Sequence, residues 1–392
     1  MQKECHKNQT IKKKKEVQWS ALFLPILYLL TFILCSDFAR FRLGVDLSFI
    51  FIIVIVAYYF LFYKKQITDA QFYGWWIYLL LVPGLMMTIA KEGDLGHMLQ
   101  CVLIFLLPIV LEPFVPEDNE TIITGLYFVV GVSLLLLFLY ANFGFLKNWN
   151  TNCMGYLIFL GVSALTILLA ENKKNIFLWV LYGYAFVQLL VTDSRNVSIS
   201  LLITIVLLLL KTPISNKTVY RIVYILALLY PVLFPFIGQG LVGTELYSFL
   251  EKITKDVYDK GQGGIFSGRL GIFAGAEKLI SESWFHYLFG YGKTMVSFYA
   301  SHNDYYLLHY TFGLIGTLIV TGMLVYFFEK TYVLIKEGDN IAYGCFAIMI
   351  SVLFQQASEG WFLATFLLTL MPFVYMSIVV KRYRSSQRGL LK

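Results

Sequence analysis

The chain has 392 residues, of which 58% are hydrophobic and only 14% charged. A mean hydropathy of +0.70 and apolar runs that recur along the whole length exclude an ordinary soluble domain, which carries more charge. The formal charge of +7 collects in short loops and at both ends, as the positive-inside rule requires, and no zinc-finger spacing or aromatic–basic interleaving accompanies it. No nucleic-acid partner is expected.

Residues 1–18 form a basic, polar leader with Lys12, Lys13, Lys14 and Lys15. The apolar run that follows has no A-x-A cleavage signal, so it reads as a retained first helix behind a cytoplasmic N-terminus. The pattern predicts an all-α polytopic integral membrane protein with about twelve transmembrane helices. These cover roughly 19–36, 45–63, 72–90, 97–111, 121–140, 153–170, 176–192, 196–210, 219–237, 303–328, 341–357 and 361–380. The fourth is short and ends near Pro108 and Pro113. The chain thus divides into the leader, nine helices within 19–237, a long external loop at 238–301, three helices within 302–380 and a basic tail at 381–392. This threading puts both termini in the cytoplasm, together with Lys64, Lys65, Lys173, Lys174, Lys211, Lys217, Arg221, Lys381, Arg382, Arg384 and Arg388. The short external loops keep Arg40, Arg42, Lys91, Lys147 and Arg195.

The long external loop carries two short amphipathic helices. Leu246, Phe249, Leu250, Ile253 and Val257 mark the first, and Leu270, Phe273, Ala276, Leu279 and Ile280 the second. Both are expected to lie along the membrane surface or to cap a cavity. The turn Gly261-Gln262-Gly263-Gly264 between them lacks the Gly-Lys ending of a nucleotide loop. The five cysteines, Cys5, Cys35, Cys101, Cys153 and Cys345, form no C-x-x-C, so neither a disulfide framework nor a thiolate metal site is expected. No cofactor or metal is expected.

In a chain of this kind chemistry falls to a few polar residues at the membrane mouths. Threading places three groups outside: Arg195 after Thr192-Asp193-Ser194, Arg269 in Ser267-Gly268-Arg269-Leu270, and His302 with Asn303 at the start of the tenth span. A guanidinium suits phosphate because its planar donors engage two oxygens and its charge persists. A histidine titrates near neutrality and could take a proton from an attacking hydroxyl. Asn303 could orient that imidazole, hold a sugar hydroxyl or cap the helix. Asp304 is a competing base, and Tyr305 and His309 extend the polar face, although His309 could equally be packed. Asn152 and Glu359 lie on the same side as further binding candidates. Against these readings, Arg195 could be a helix-end residue that snorkels, and Arg269 and Glu359 could be solvated loop charges.

Asp193-Ser194-Arg195, Gly268-Arg269-Leu270, Ser301-His302-Asn303-Asp304-Tyr305 and Gly313-Leu314-Ile315-Gly316, in this order around one large external loop and with Asn152-x-x-Gly155 earlier in the chain, resemble the O-antigen ligase and polymerase superfamily of bacterial envelope glycan assembly. The resemblance implies a multi-pass protein of the bacterial cytoplasmic (inner) membrane, active on its periplasmic or outer face without metal or nucleotide sugar. Its substrates would be an undecaprenyl-diphosphate-linked glycan donor and an acceptor, its surroundings membrane lipids, and its accessory partner a chain-length regulator. Arg195 and Arg269 would hold the donor pyrophosphate, and His302 would act at the acceptor hydroxyl in an inverting glycosyl transfer. The loop and the Ser-His-Asn-Asp mouth resemble the polymerase branch slightly more than the ligase branch, which transfers glycan to lipid A-core. A lipid-linked glycan transporter or flippase is the alternative outside enzymes, although the sequence shows no internal repeat and no pair of broken helices.

Overall fold

The computed structural model describes residues 21–34, 47–62, 82, 85–86, 89, 93–144, 151–191, 195–257, 269–293, 303–357 and 370–389. It is all-helical, with no strand among the described residues. In chain order the helices are α1 (Phe23–Leu34), α2 (Leu47–Phe62), α3 (Leu95–Val110), α4 (Asn119–Phe143), α5 (Thr151–Val162), α6 (Ala164–Glu171), α7 (Ile176–Val191) and α8 (Arg195–Leu209). The short α9 (Lys211–Ile214) and α10 (Lys217–Leu241) follow, then α11 (Glu245–Val257), α12 (Arg269–Ile280), α13 (Trp284–Phe289), α14 (Asp304–Lys336), α15 (Asn340–Gln355) and α16 (Leu370–Gln387). Helices overlap most of the expected apolar runs among the described residues. The third expected span, 72–90, lies almost wholly outside the described residues, as does the start of the twelfth.

Among the described residues, four helices are long and apolar enough to cross a membrane: Asn119–Phe143, Met154–Glu171, Lys217–Leu241 and Asp304–Lys336. Shorter apolar helices, among them Ile50–Phe62, Ile176–Leu190 and Asn340–Gln355, stand beside them. Large apolar side chains face outward on most of these elements, including Val54, Leu61, Leu135, Phe143, Ile176, Val187, Ile222 and Leu318. An apolar girdle of that extent is consistent with an α-helical membrane protein, because water would not tolerate it.

Helix α15 is buried on every face from Ile341 to Leu353 and forms the axis of the bundle. It packs on α6, α8, α10, α14 and α16. Two devices bring the helices together. Small residues let backbones touch: a Cβ on Gly344 would stand 2.6 Å from the Ile167 Cα, and one on Gly161 would stand 2.6 Å from the Tyr28 ring. Buried tyrosines spend their hydroxyls on carbonyls of neighbouring helices, as Tyr28 does on Leu157 at 3.1 Å, Tyr375 on Leu160 at 2.6 Å and Tyr220 on Phe328 at 2.8 Å. A phenol in an apolar interior needs such a partner.

The loops sort to two ends. One end gathers Glu112, Asn119, Glu171, Lys211, Asp339 and the start of the tail. There Arg384 pairs with buried Glu112, and Arg382 pairs with Asp339 and bonds Asn119. Lys381 meets Glu117 at 3.2 Å. Lys211 donates to Asn340, which donates to Glu171 at 3.1 Å. Partial burial, reinforced by the charge of Lys173, holds the Lys211 ammonium below the ordinary lysine range. These are segments that the alternating threading assigns to one side. The opposite end carries Asp94, whose N–H donates to the Gly292 carbonyl at 2.7 Å, and the junction where the start of α14 meets the end of α15.

Replacing Gly344 by Leu must push α6 and α15 apart, since the obstructing atom is backbone. A loss of about 1–3 kcal/mol is expected, read as a lowered midpoint of thermal unfolding in detergent, with Gly183→Leu, which meets open space, as the silent control.

Candidate functional site

The junction is built from a shortage of hydrogen-bond partners. Pro235 has no N–H, so the Pro231 carbonyl one turn earlier in α10 lacks its helical donor. The last carbonyls of α15 also lack donors, as at any helix C-terminus. Asn303 meets both needs. Its Nδ2 donates to Pro231 O at 2.7 Å and to Ala357 O at 2.9 Å, while its Oδ1 accepts from the Tyr305 N–H at 2.8 Å and caps α14. The Asp304 N–H donates to Gln356 O at 3.1 Å. The amide of Asn303 is fully buried and both its protons are engaged by backbone, so the helix cap is the role its geometry performs.

A polar floor surrounds this cap. Asp304, Gln355, Gln356, Ser198 and Ser200 are all buried. The hydroxyl of Tyr156 on α5 lies against the Gln356 side chain and in the electrostatic field of Asp304. Helix α8 runs antiparallel to α15, with Ser351 Oγ donating to Ser200 O and Tyr343 to Leu207 O. That register sets the first turn of α8, which Arg195 opens, level with the end of α15. Helix α12 runs alongside the first turns of α14. Phe273 stacks on Tyr306 with centroids 5.7 Å apart, and Tyr291, stacked on Tyr310, donates to Leu279 O at 2.9 Å. Arg269, half-buried at the start of α12, therefore stands beside the first turn of α14. The start of α5, with Asn152, leads into Tyr156.

Of the residues singled out in the sequence, Asn303, Asp304, Tyr305 and Arg269 thus gather at one end, joined there by the backbone positions of Asn152 and Arg195. The side chains of Asn152 and Arg195 lie outside the described residues, and so do His302 and Glu359. His309 is buried, 2% exposed, and donates from Nε2 to the Tyr287 carbonyl at 2.8 Å, with its ring edge-on to Tyr287 and Tyr305. It fastens α13 to α14.

The sequence reading missed Tyr156, Pro231, Gln355 and Gln356. Their signals were polar residues closing an apolar run, and two prolines spaced one helical turn apart. It also missed the break in α14. Gly313 has φ 67° and ψ −173° and interrupts the helix. The carbonyls of Tyr310 and Thr311, freed by that break, accept from the N–H groups of Tyr291 at 2.7 Å and Gly292 at 3.0 Å. Gly290, at φ 77°, packs directly on Gly313, where a Cβ would stand 2.2 Å from Leu288 O. Positive φ and contact with backbone both require glycine here.

The sequence matches no protein-family model and no curated protein, so its function is argued from residues and geometry.

Asn303→Ala removes a helix cap, worth about 1 kcal/mol, and strands two buried carbonyls at about 1–3 kcal/mol each. A lowered unfolding midpoint is expected, and Asn303→Asp, which keeps the cap acceptor but turns a buried oxygen toward the Pro231 and Ala357 carbonyls beside Asp304, should lower it at least as far. Gly313→Ala should detach the 284–292 segment, read as faster proteolysis there with helix content unchanged.

Proposed function

We propose that the chain is a multi-pass membrane glycosyltransferase that polymerises undecaprenyl-diphosphate-linked oligosaccharide repeat units for a surface polysaccharide. The observation that carries this reading is the gathering, at one end of the helical array, of five elements distant in sequence: the starts of α5, α8, α12 and α14 and the end of α15. Buried polar and ionisable residues in a membrane protein mark a functional site by default. In this reading twelve helices cross the bacterial inner membrane with both termini cytoplasmic, and the polar junction opens on the outer leaflet. Arg195 and Arg269 grip the donor pyrophosphate. His302, immediately before the Asn303 cap, takes the proton of the acceptor hydroxyl. That hydroxyl attacks the anomeric carbon with inversion while undecaprenyl diphosphate leaves. Asn303 contributes by holding the α14 N-terminus, and hence the chain on either side of it, in place.

A second reading is favoured by one observation. The break at Gly313 makes α14 discontinuous, a device by which transporters build substrate sites at mid-membrane. A lipid-linked glycan flippase would use it as a pivot between α13 and the lower part of α14.

Purified protein given synthetic lipid-linked repeats decides between these. Ladders formed without lipid A-core are the expected outcome; transfer to lipid A-core alone identifies a ligase, and movement of intact substrate across vesicles without new bonds identifies a flippase. His302→Ala should lower turnover by at least about 100-fold, the scale of lost general-base catalysis, with membrane insertion intact. Arg195→Lys should also impair turnover, because an ammonium cannot reproduce a bidentate guanidinium.

A further inference from the structure

Helix α11 leaves the tip of α10 through a hydrogen-bonded turn. The Val242 N–H donates to Gly238 O at 3.2 Å and closes α10, and Gly243, at φ 84°, takes the backbone through the left-handed region. The Thr244 N–H then donates to Leu241 O at 3.0 Å, while the Thr244 Oγ1 accepts from the Tyr247 N–H at 3.1 Å and caps α11. The start of α11 is thus set by backbone bonds rather than by a loose linker. Along the helix Leu246, Phe249 and Leu250 are exposed, and Ile253 and Val257 continue the stripe in the sequence. Glu245, Glu251, Lys252, Lys255 and Asp256 fall on its other side. No other described helix packs along α11. A helix of 13 residues is marginal in water, so the stripe needs an apolar cover.

The position of α11 identifies that cover. Helix α10 has 25 residues, about 37 Å at about 1.5 Å per residue, which exceeds a hydrocarbon core of about 30 Å. Its outward face, opposite the buried Tyr224, Ala227 and Pro231, exposes Ile222, Leu229, Leu233 and Phe236. The outward face therefore stays apolar almost to the tip, and exposed Val242 carries it into the turn. Val242, Gly243 and Thr244 together reach at most about 10 Å, so α11 begins in the layer through which α10 leaves the hydrocarbon. The charges of α11 nearly cancel, so apolar burial supplies its binding rather than attraction to anionic lipid. We propose, resting on the multi-pass reading, that α11 is an interfacial helix lying in the lipid headgroup layer on the side of the polar junction. Leu246, Phe249 and Leu250 point into the acyl region, which ties the start of the long loop to that leaflet.

The test is spin-label accessibility in phosphatidylcholine nanodiscs. Single labels are placed by Leu246→Cys, Phe249→Cys, Ser248→Cys, Lys252→Cys and, as the lipid standard, Leu229→Cys. The background is Cys5→Ser/Cys35→Ser/Cys153→Ser, with buried Cys101 and Cys345 retained. All five labelled positions are exposed, so no substitution disturbs the core. Labels at positions 246, 249 and 229 should collide readily with oxygen and several-fold less with water-soluble nickel(II) ethylenediaminediacetate than labels at 248 and 252. Equal access of the nickel complex to all four α11 labels puts the stripe in water and overturns the inference. Exclusion of both reagents at 246 and 249 shows that protein covers the stripe, from this chain or a second copy, and overturns the lipid assignment. Access of the nickel complex to the 229 label as well overturns the membrane reading itself. Shielding that appears only when phosphatidylglycerol is added overturns the apolar account of the binding.

Discussion

Every backbone group that leaves a helix inside an apolar protein must find a partner within the protein, and Asn303 meets that constraint at the point where three helices end or bend. Its side chain serves the carbonyl left bare by Pro235, a carbonyl just past the end of α15 and the Tyr305 N–H in the first turn of α14. The Asp304 N–H serves another carbonyl of the same α15 terminus. The positive end of α14 thus meets the negative end of α15, an arrangement that both helix dipoles favour. The polar floor of Asp304, Tyr156, Gln355 and Gln356 is possible only because this junction holds the helices together around it.

The same logic recurs along α14. Where Gly313 breaks the helix, the freed carbonyls are paired by the 291–292 backbone, and His309 binds α13 through the Tyr287 carbonyl. At its far end Glu329 is held by Arg221 and Tyr224 of α10. Helices α10 and α14 are therefore joined at two levels: by the Asn303 cap on the Pro231 carbonyl, and by Arg221 and Tyr224 on Glu329 together with the adjacent Tyr220 hydroxyl on the Phe328 carbonyl.

The two expected amphipathic helices of the long loop take different roles. Helix α12 turns Phe273, Ala276 and Ile280 inward onto Tyr291, Tyr306 and Tyr310 and covers the start of α14. Helix α11 leaves Leu246, Phe249 and Leu250 exposed three residues after α10 ends, as a helix resting on a membrane surface does. Both stripes looked alike in the sequence, because periodicity reports that a face is apolar and not what covers it.

Apolar run length and turn residues were enough to read the apolar helices and their approximate positions. These depend on local hydropathy, which needs no partner. The polar residues at the starts of α8, α12 and α14 were legible for a related reason: Arg195, Arg269 and Asn303-Asp304 stand out against apolar neighbours. Tertiary structure alone decided what each polar group does there. Asn303 became a clasp on Pro231 and Ala357, residues 72 and 54 positions away, and Tyr156 joined Asp304 from another helix. It also decided that Gly313 breaks α14, since the break is stable only where Gly290 and the backbone around it fill the space a Cβ would occupy. A hydrogen bond between distant residues leaves no periodic trace in either of them; only the packing that brings them together reveals it.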